Sequence, residues 1–177
     1  MSSFESRLPV IFLKAAEIYF AQEPASVLTV LGSCLSVTMF HRPLGIGSIC
    51  HGLLPQCTQR SACRERCSTE AKYVECSIEQ MVKRFTRIGV MLREIEVKIF
   101  GGADMFAARS DSGGPATVGK QNIATAMRII QKEGLRIVSM DVGGVQGRKI
   151  FFNTQSGEVL LQRLQPGIIL TDSGAAK

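Results

Sequence analysis

A chain of 177 residues and 19.3 kDa is the size of one ordinary domain. With 45% hydrophobic residues, 20% charged residues and a mean hydropathy of +0.15, it has the material for a packed core, which excludes disordered and fibrous classes. The formal charge is +6, but the basic residues are scattered, Trp is absent and only two Tyr occur, so the pattern predicts a preference for acidic partners and no nucleic-acid binding.

The first apolar run, residues 8–13, is too short for an export signal or a membrane span and ends at Lys14. A cytoplasmic setting is expected, in which the six cysteines are reduced thiols, metal ligands or catalytic groups.

Short runs rich in β-branched and aromatic residues predict strands over 17–21, 26–31, 34–40 and 46–54. A polar segment, 56–68, carries Cys57, Cys63 and Cys67. From 69 to 88 the period turns helical, with Tyr73, Val74, Ile78, Met81, Val82 and Phe85 on one stripe and Gly89 as the stop. Ile95, Val97 and Ile99 then alternate with Glu96 and Lys98 in a half-buried strand over 94–100, ended by Gly101 and Gly102. A second helix is expected over 118–133 with Ile123, Met127 and Ile130 inward, followed by strands over 135–140, 148–153 and 158–164. The expected class is α/β (α+β): one domain over 1–177, with mixed or antiparallel sheets in layers and two long helices packed outside. The ends, 1–7 and 171–177, are expected to be loose.

Cys34 follows a strand and a Gly-Ser turn, a place where a sharp bend can present a thiol together with backbone N–H groups. Residues 41–44 read as a four-residue hairpin loop, and pairing Phe40 with Gly45 sets Cys34 opposite His51, Ser36 opposite Ile49 and Thr38 opposite Gly47. The Cys34 face then carries small and polar side chains that leave room for a ligand. The opposite face, with Leu35, Val37, Met39 and Cys50, reads as core, which makes Cys50 a buried thiol and Cys34 the reactive one. The plainer alternative is that Cys34 packs as a small hydrophobe.

The runs Val30-Leu31-Gly32-Ser33-Cys34-Leu35-Ser36-Val37 and Cys50-His51-Gly52-Leu53-Leu54-Pro55 resemble the signature of CheD, the chemoreceptor glutamine deamidases of bacterial chemotaxis. Lys72-Tyr73, the segment from Lys98 through Gly101 and Gly102 to Met105-Phe106, Asn122-Ile123, Asp141-Val142-Gly143-Gly144, Gly147-Arg148-Lys149 and Phe152-Asn153 agree in order, so the resemblance spans about 9–165. It implies β-sheets sandwiched between helices, as in the catalytic domain of deamidating toxins. It also implies a cysteine–histidine pair supported by a threonine, carried over here to Cys34, His51 and Thr29, the only threonine just upstream of the cysteine turn.

On that reading Cys34 attacks a receptor glutamine side chain with His51 as base, and the amides of the 32–34 turn are oxyanion donors. Gly32, Ser33, Gly47, Gly101, Gly102, Met105 and Phe106 are the expected substrate-binding residues. The expected partners are the cytoplasmic helices of methyl-accepting chemoreceptors and a CheC-type phosphatase; no cofactor or metal is expected. Gly143, Gly144, Gly147 and Arg148 read either as turns or as a wall of the substrate groove. Two other classes stay open. One is a non-catalytic adaptor for receptors or CheC; the other is a metal or redox module on Cys57, Cys63, Cys67 and Cys76, whose spacing matches no standard zinc pattern.

Overall fold

The computed structural model describes residues 8–58, 70–104 and 116–165. Among the described residues, nine strands form two sheets, and two long helices accompany them: β1 (Val10–Phe12), β2 (Glu17–Phe20), β3 (Ser26–Leu31), β4 (Leu35–His41), β5 (Ile46–Gly52), α1 (Val74–Arg87), β6 (Ile95–Gly101), α2 (Val118–Lys132), β7 (Arg136–Val142), β8 (Arg148–Asn153) and β9 (Val159–Arg163). The five-stranded sheet has the order β2-β5-β4-β6-β7 and the four-stranded sheet β1-β3-β8-β9; each contains one parallel pair, β6 with β7 and β1 with β3. The mixed α+β class expected from the sequence is the class observed.

Two apolar clusters divide the layers. Leu35, Val37, Met39 and Cys50 from the hairpin, with Ile95, Val97 and Ile99 from β6, meet Ile78, Met81 and Phe85 of α1 and Ile129 and Ile130 of α2. On the opposite side of that sheet, Ile49 and Phe100 meet Val27, Leu31, Ile150 and Phe152 of the four-stranded sheet. Each such fully buried large side chain is worth about 1.5–3 kcal/mol. The layers therefore run helices, five-stranded sheet, four-stranded sheet. This corrects the sandwich between helices for the described residues: both long helices pack on one face, because only that face of β4 and β6 presents an unbroken aliphatic row.

Other departures have local causes. α1 begins at Val74 because Tyr73 is extended and bridges to Leu54, after a 3-10 turn over Glu70–Lys72. Met127 is exposed rather than inward; Asn122, Thr125, Ala126, Ile129 and Ile130 form the buried stripe of α2. The strand β1 had no counterpart in the sequence reading.

The hairpin register is shifted by two residues from expectation. Phe40 pairs with Gly47 and His41 with Ile46, so Ser36 lies opposite His51, Thr38 opposite Ile49 and Leu35 opposite Gly52. The loop is 42–45, and Gly45 belongs to it with a φ of +60°, a left-handed conformation that a glycine adopts at little cost. A two-residue slip preserves the faces, so Cys34 and His51 remain on one side. That face is not open along its length. Gly47 is buried, and a side chain there would meet the Phe152 ring at 2.7 Å and the Thr154 carbonyl at 2.8 Å. Gly47 is small to admit the second sheet, and the space its missing side chain leaves is filled.

Candidate active site

The chain passes from one sheet to the other through the turn 32–34. Leu31 closes β3, Leu35 opens β4, and Cys34 sits half-buried in the crossing beside an exposed Ser33. Gly101 and Gly102 secure this crossing. The Gly102 N–H donates to the Cys34 carbonyl at 2.7 Å, and the Ala103 N–H donates to the Gly32 carbonyl at 2.8 Å. Gly101 has a φ of +107°, and a Cβ there would collide with the Cys34 carbonyl oxygen, so both backbone shape and closeness of approach require glycine. The structure thus gathers Gly32, Ser33, Cys34, Gly101 and Gly102. Met105 and Phe106 lie outside the described residues.

His51 lies on β5 between Ser36 of β4 and Glu17 of β2, and it is buried. Its Nδ1 is 2.8 Å from Thr29 Oγ1, a contact that crosses from one sheet to the other. The Thr29 hydroxyl donates its one proton to the Leu13 carbonyl at 2.9 Å. Its oxygen is then left to accept from Nδ1–H, which fixes the neutral tautomer with a bare Nε2. That Nε2 is buried and has no hydrogen-bond partner among the described residues. Cys34 lies just before β4, outside the paired ladder, and packs against the cluster between the sheets, on the side of the sheet that carries Ser36 and His51.

Burial pushes the Cys34 thiol above its ordinary value near 9.0, against a smaller opposing pull from its own backbone amide. Burial also holds His51 below its ordinary 6.5, partly offset by the Leu13 carbonyl and the Glu17 charge. At neutral pH the resting pair is therefore a thiol and a neutral imidazole. Cys50 differs: it is fully buried on the helix side and its thiol is pushed up to about 12.

Sequence reasoning gave no role to two contributors. The Leu13 carbonyl arrives on the β1 side of Thr29, and the strand-forming run Val10-Ile11-Phe12 was its signal. Asn122 Nδ2 donates to the carbonyls of Ser33 and Leu53 at 3.0 and 3.1 Å; a polar residue on the apolar stripe of α2 was the mark.

Gly143 and Gly144 stand behind the glycine pair. The Gly143 N–H donates to the Gly101 carbonyl at 2.9 Å, and the Asp104 N–H donates to the Gly144 carbonyl at 2.7 Å. Arg148, buried, donates to Asp141, to the Gly143 carbonyl and to the Gln146 carbonyl, which fastens this turn. The recess these residues line, about 480 Å³, includes Arg163 but neither Cys34 nor His51. Cys57 is buried, whereas Cys63 and Cys67 lie outside the described residues. Among the described residues, no cluster of three or more His, Cys, Asp or Glu side chains could hold a metal ion, and no helix is long and apolar enough to cross a membrane.

The family model described as CheD chemotactic sensory transduction matches residues 53–163. The chain belongs to the CheD family. A relative in Geobacter sulfurreducens, named Probable chemoreceptor glutamine deamidase CheD 2, is 42% identical over 164 residues, 93% of this chain and 96% of that protein. Proteins named Probable chemoreceptor glutamine deamidase CheD are 36% identical in Maridesulfovibrio salexigens (93% of this chain, 98% of that protein) and 35% identical in Thermococcus kodakarensis (79% and 83%). Thr29, Cys34 and His51 precede the interval matched by the CheD family model.

Proposed function

We infer that this chain hydrolyses glutamine side-chain amides of chemoreceptors to glutamate, releasing ammonia. The names of its CheD relatives support the reaction class, and one contact supports the site: the Thr29–His51 hydrogen bond, which leaves a bare imidazole nitrogen on the face that carries Cys34.

In the mechanism we propose, His51 Nε2 takes the Cys34 proton and the thiolate attacks the carboxamide carbon. Amides of the 32–34 turn receive the charge that develops on oxygen, with Gly101 and Gly102 supporting the turn. The imidazolium returns its proton to the departing nitrogen, which leaves as ammonia, and a thioester remains. Water, deprotonated by the same imidazole, attacks the thioester carbon; the thiol is restored and glutamate leaves. Thr29 holds the ring orientation throughout, the part played by the third group of a triad. Met105 and Phe106, which follow the glycine pair after Ala103 and Asp104 in sequence, are part of the proposed substrate-binding set.

On this reading the activity belongs in the cytoplasm, where the receptor substrate helices lie, and the charge of +6 favours acidic receptor helices. A CheC-type phosphatase would compete with receptor for this surface, so adding it should inhibit turnover. Mass spectrometry of a receptor fragment incubated with the protein tests the central reading. The expected result is a shift of roughly one mass unit at glutamine with the native chain and none with Cys34→Ala, as acyl transfer to water requires. Full conversion by Cys34→Ala would refute it.

A further inference from the structure

Asn122 occupies a fully buried position of α2 on the stripe that continues through Ala126, Ile129 and Ile130. Asparagine is a poor residue for a helix interior, and an apolar side chain would suit the stripe better. Its Nδ2 donates both hydrogens to main-chain carbonyls, Ser33 O at 3.0 Å and Leu53 O at 3.1 Å, and two acceptors fix which end of the amide is nitrogen. Its Oδ1 is buried without a hydrogen-bond partner among the described residues. The side chain is placed for its donors.

Those two carbonyls flank the end of the ladder. Pairing between β4 and β5 stops at Leu35 and Gly52, one residue short of Cys34 and Leu53. Past that point Asn122 ties the cysteine turn to the segment that follows His51. Three successive carbonyls of the turn are engaged: Gly32 O by the Ala103 N–H, Ser33 O by Asn122, and Cys34 O by the Gly102 N–H. A planar trans peptide points its N–H opposite to its C=O. Holding the Ser33 carbonyl toward α2 therefore turns the Cys34 N–H away from α2. Of the three, only the peptide that carries the nucleophile's own amide is set by a side chain.

We propose that Asn122 is a positioning residue for acyl transfer at Cys34, aiming the Cys34 N–H at the oxygen that becomes negative in the tetrahedral intermediate. This rests on the deamidase reading for its natural substrate, but not for its chemistry. Any acyl group attacked by Cys34 develops the same oxyanion, whereas alkylation of the thiol by iodoacetamide displaces iodide and develops none.

The test compares the full native chain with Asn122→Asp, nearly isosteric but without the donors, and with Asn122→Ala. Three rates are read: deamidation of a receptor fragment, acylation of Cys34 by p-nitrophenyl acetate, and alkylation of Cys34 by iodoacetamide, with the last two followed at the Cys34 peptide by mass spectrometry. Loss of an aligned oxyanion donor should lower kcat by roughly 10²-fold at unchanged KM. Acylation should fall by the same factor while alkylation keeps its native rate. Acylation and alkylation falling together, neither falling, no acylation of Cys34 in the native chain, or both variants being unfolded at the assay temperature would each overturn the proposal. If the native chain fails to deamidate receptors but the split between acylation and alkylation holds, the deamidase reading falls and the positioning role stands.

Discussion

The two ends of the β4–β5 hairpin each hold a buried histidine with one ring nitrogen engaged and the other bare. At the turn end, His41 Nε2 lies 3.4 Å from Glu94 Oε2 and its Nδ1 has no hydrogen-bond partner among the described residues. At the open end, His51 Nδ1 meets Thr29 and its Nε2 is bare. His41 shares the helix-side face of Leu35, Val37 and Met39, beside a closed loop and far along the strand from Cys34. His51 lies on the face between the sheets, where the ladder ends and the thiol begins. Their partners differ as well. Glu94 offers charge from a partly exposed carboxylate, whereas Thr29 offers direction from a fully buried hydroxyl that is itself anchored to a carbonyl. A buried histidine becomes a candidate base through what its partner fixes and what its bare nitrogen faces, not through burial itself.

The strongest way to break this contrast is to replace each histidine by glutamine. His51→Gln removes the proposed proton carrier and should lower kcat by about 10²–10⁴-fold with the fold retained. His41→Gln should leave kcat unchanged and cost about 1 kcal/mol of stability through its lost hydrogen bond. Steady-state ammonia release and thermal melting separate the two, and equal losses of activity would erase the distinction between the ends.

Thr29→Val comes next. Valine keeps the shape but cannot accept from Nδ1–H, so the imidazole is free to choose the other tautomer or rotate. A loss of about 10–10²-fold in kcat is expected, smaller than for the base itself because the Leu13 carbonyl remains nearby as an alternative acceptor. Native turnover by this variant would remove threonine from the catalytic group.

What the sequence disclosed of this arrangement followed its periodicities. β3 and β8 were legible to the residue because their inward positions alternate, with a break only at the Phe152–Asn153 end of β8. The faces of the hairpin were legible for the same reason, and they survived a register error because side chains repeat every two residues. The register itself was not, since glycine in a strand and glycine in a left-handed turn look alike in sequence and only the closed loop assigns Gly45. Gly47 misled similarly: absence of a side chain marked a close approach of Phe152 rather than space for substrate. Thr29 came from family resemblance alone, because nothing local to it says that its hydroxyl reaches a histidine in another sheet. β1 went unread because its apolar run is measured only against export signals and membrane spans, and with it went the carbonyl that orients Thr29.

The smallest expected effect concerns pH. Deamidation by this route needs His51 neutral, since an imidazolium cannot take the Cys34 proton. Burial favours the neutral form and holds the folded value below the ordinary 6.5, so kcat/KM should fall on the acid side with a midpoint below 6.5. Glu17, paired with His51 across β2 and β5, pulls in the other direction by stabilising the imidazolium. Glu17→Gln should therefore move the acid limb further down, by about a few tenths of a pH unit because an exposed charge is screened by solvent and salt. High salt should reproduce the shift in the native chain and add nothing to the variant. The acid limb is read on the free enzyme through kcat/KM, and alkylation of Cys34 by iodoacetamide, which rises as the thiol ionises above its ordinary value, serves as an independent reading of the other group. An acid midpoint above 6.5, or an upward shift in Glu17→Gln, would mean that the group governing catalysis is not the buried imidazole.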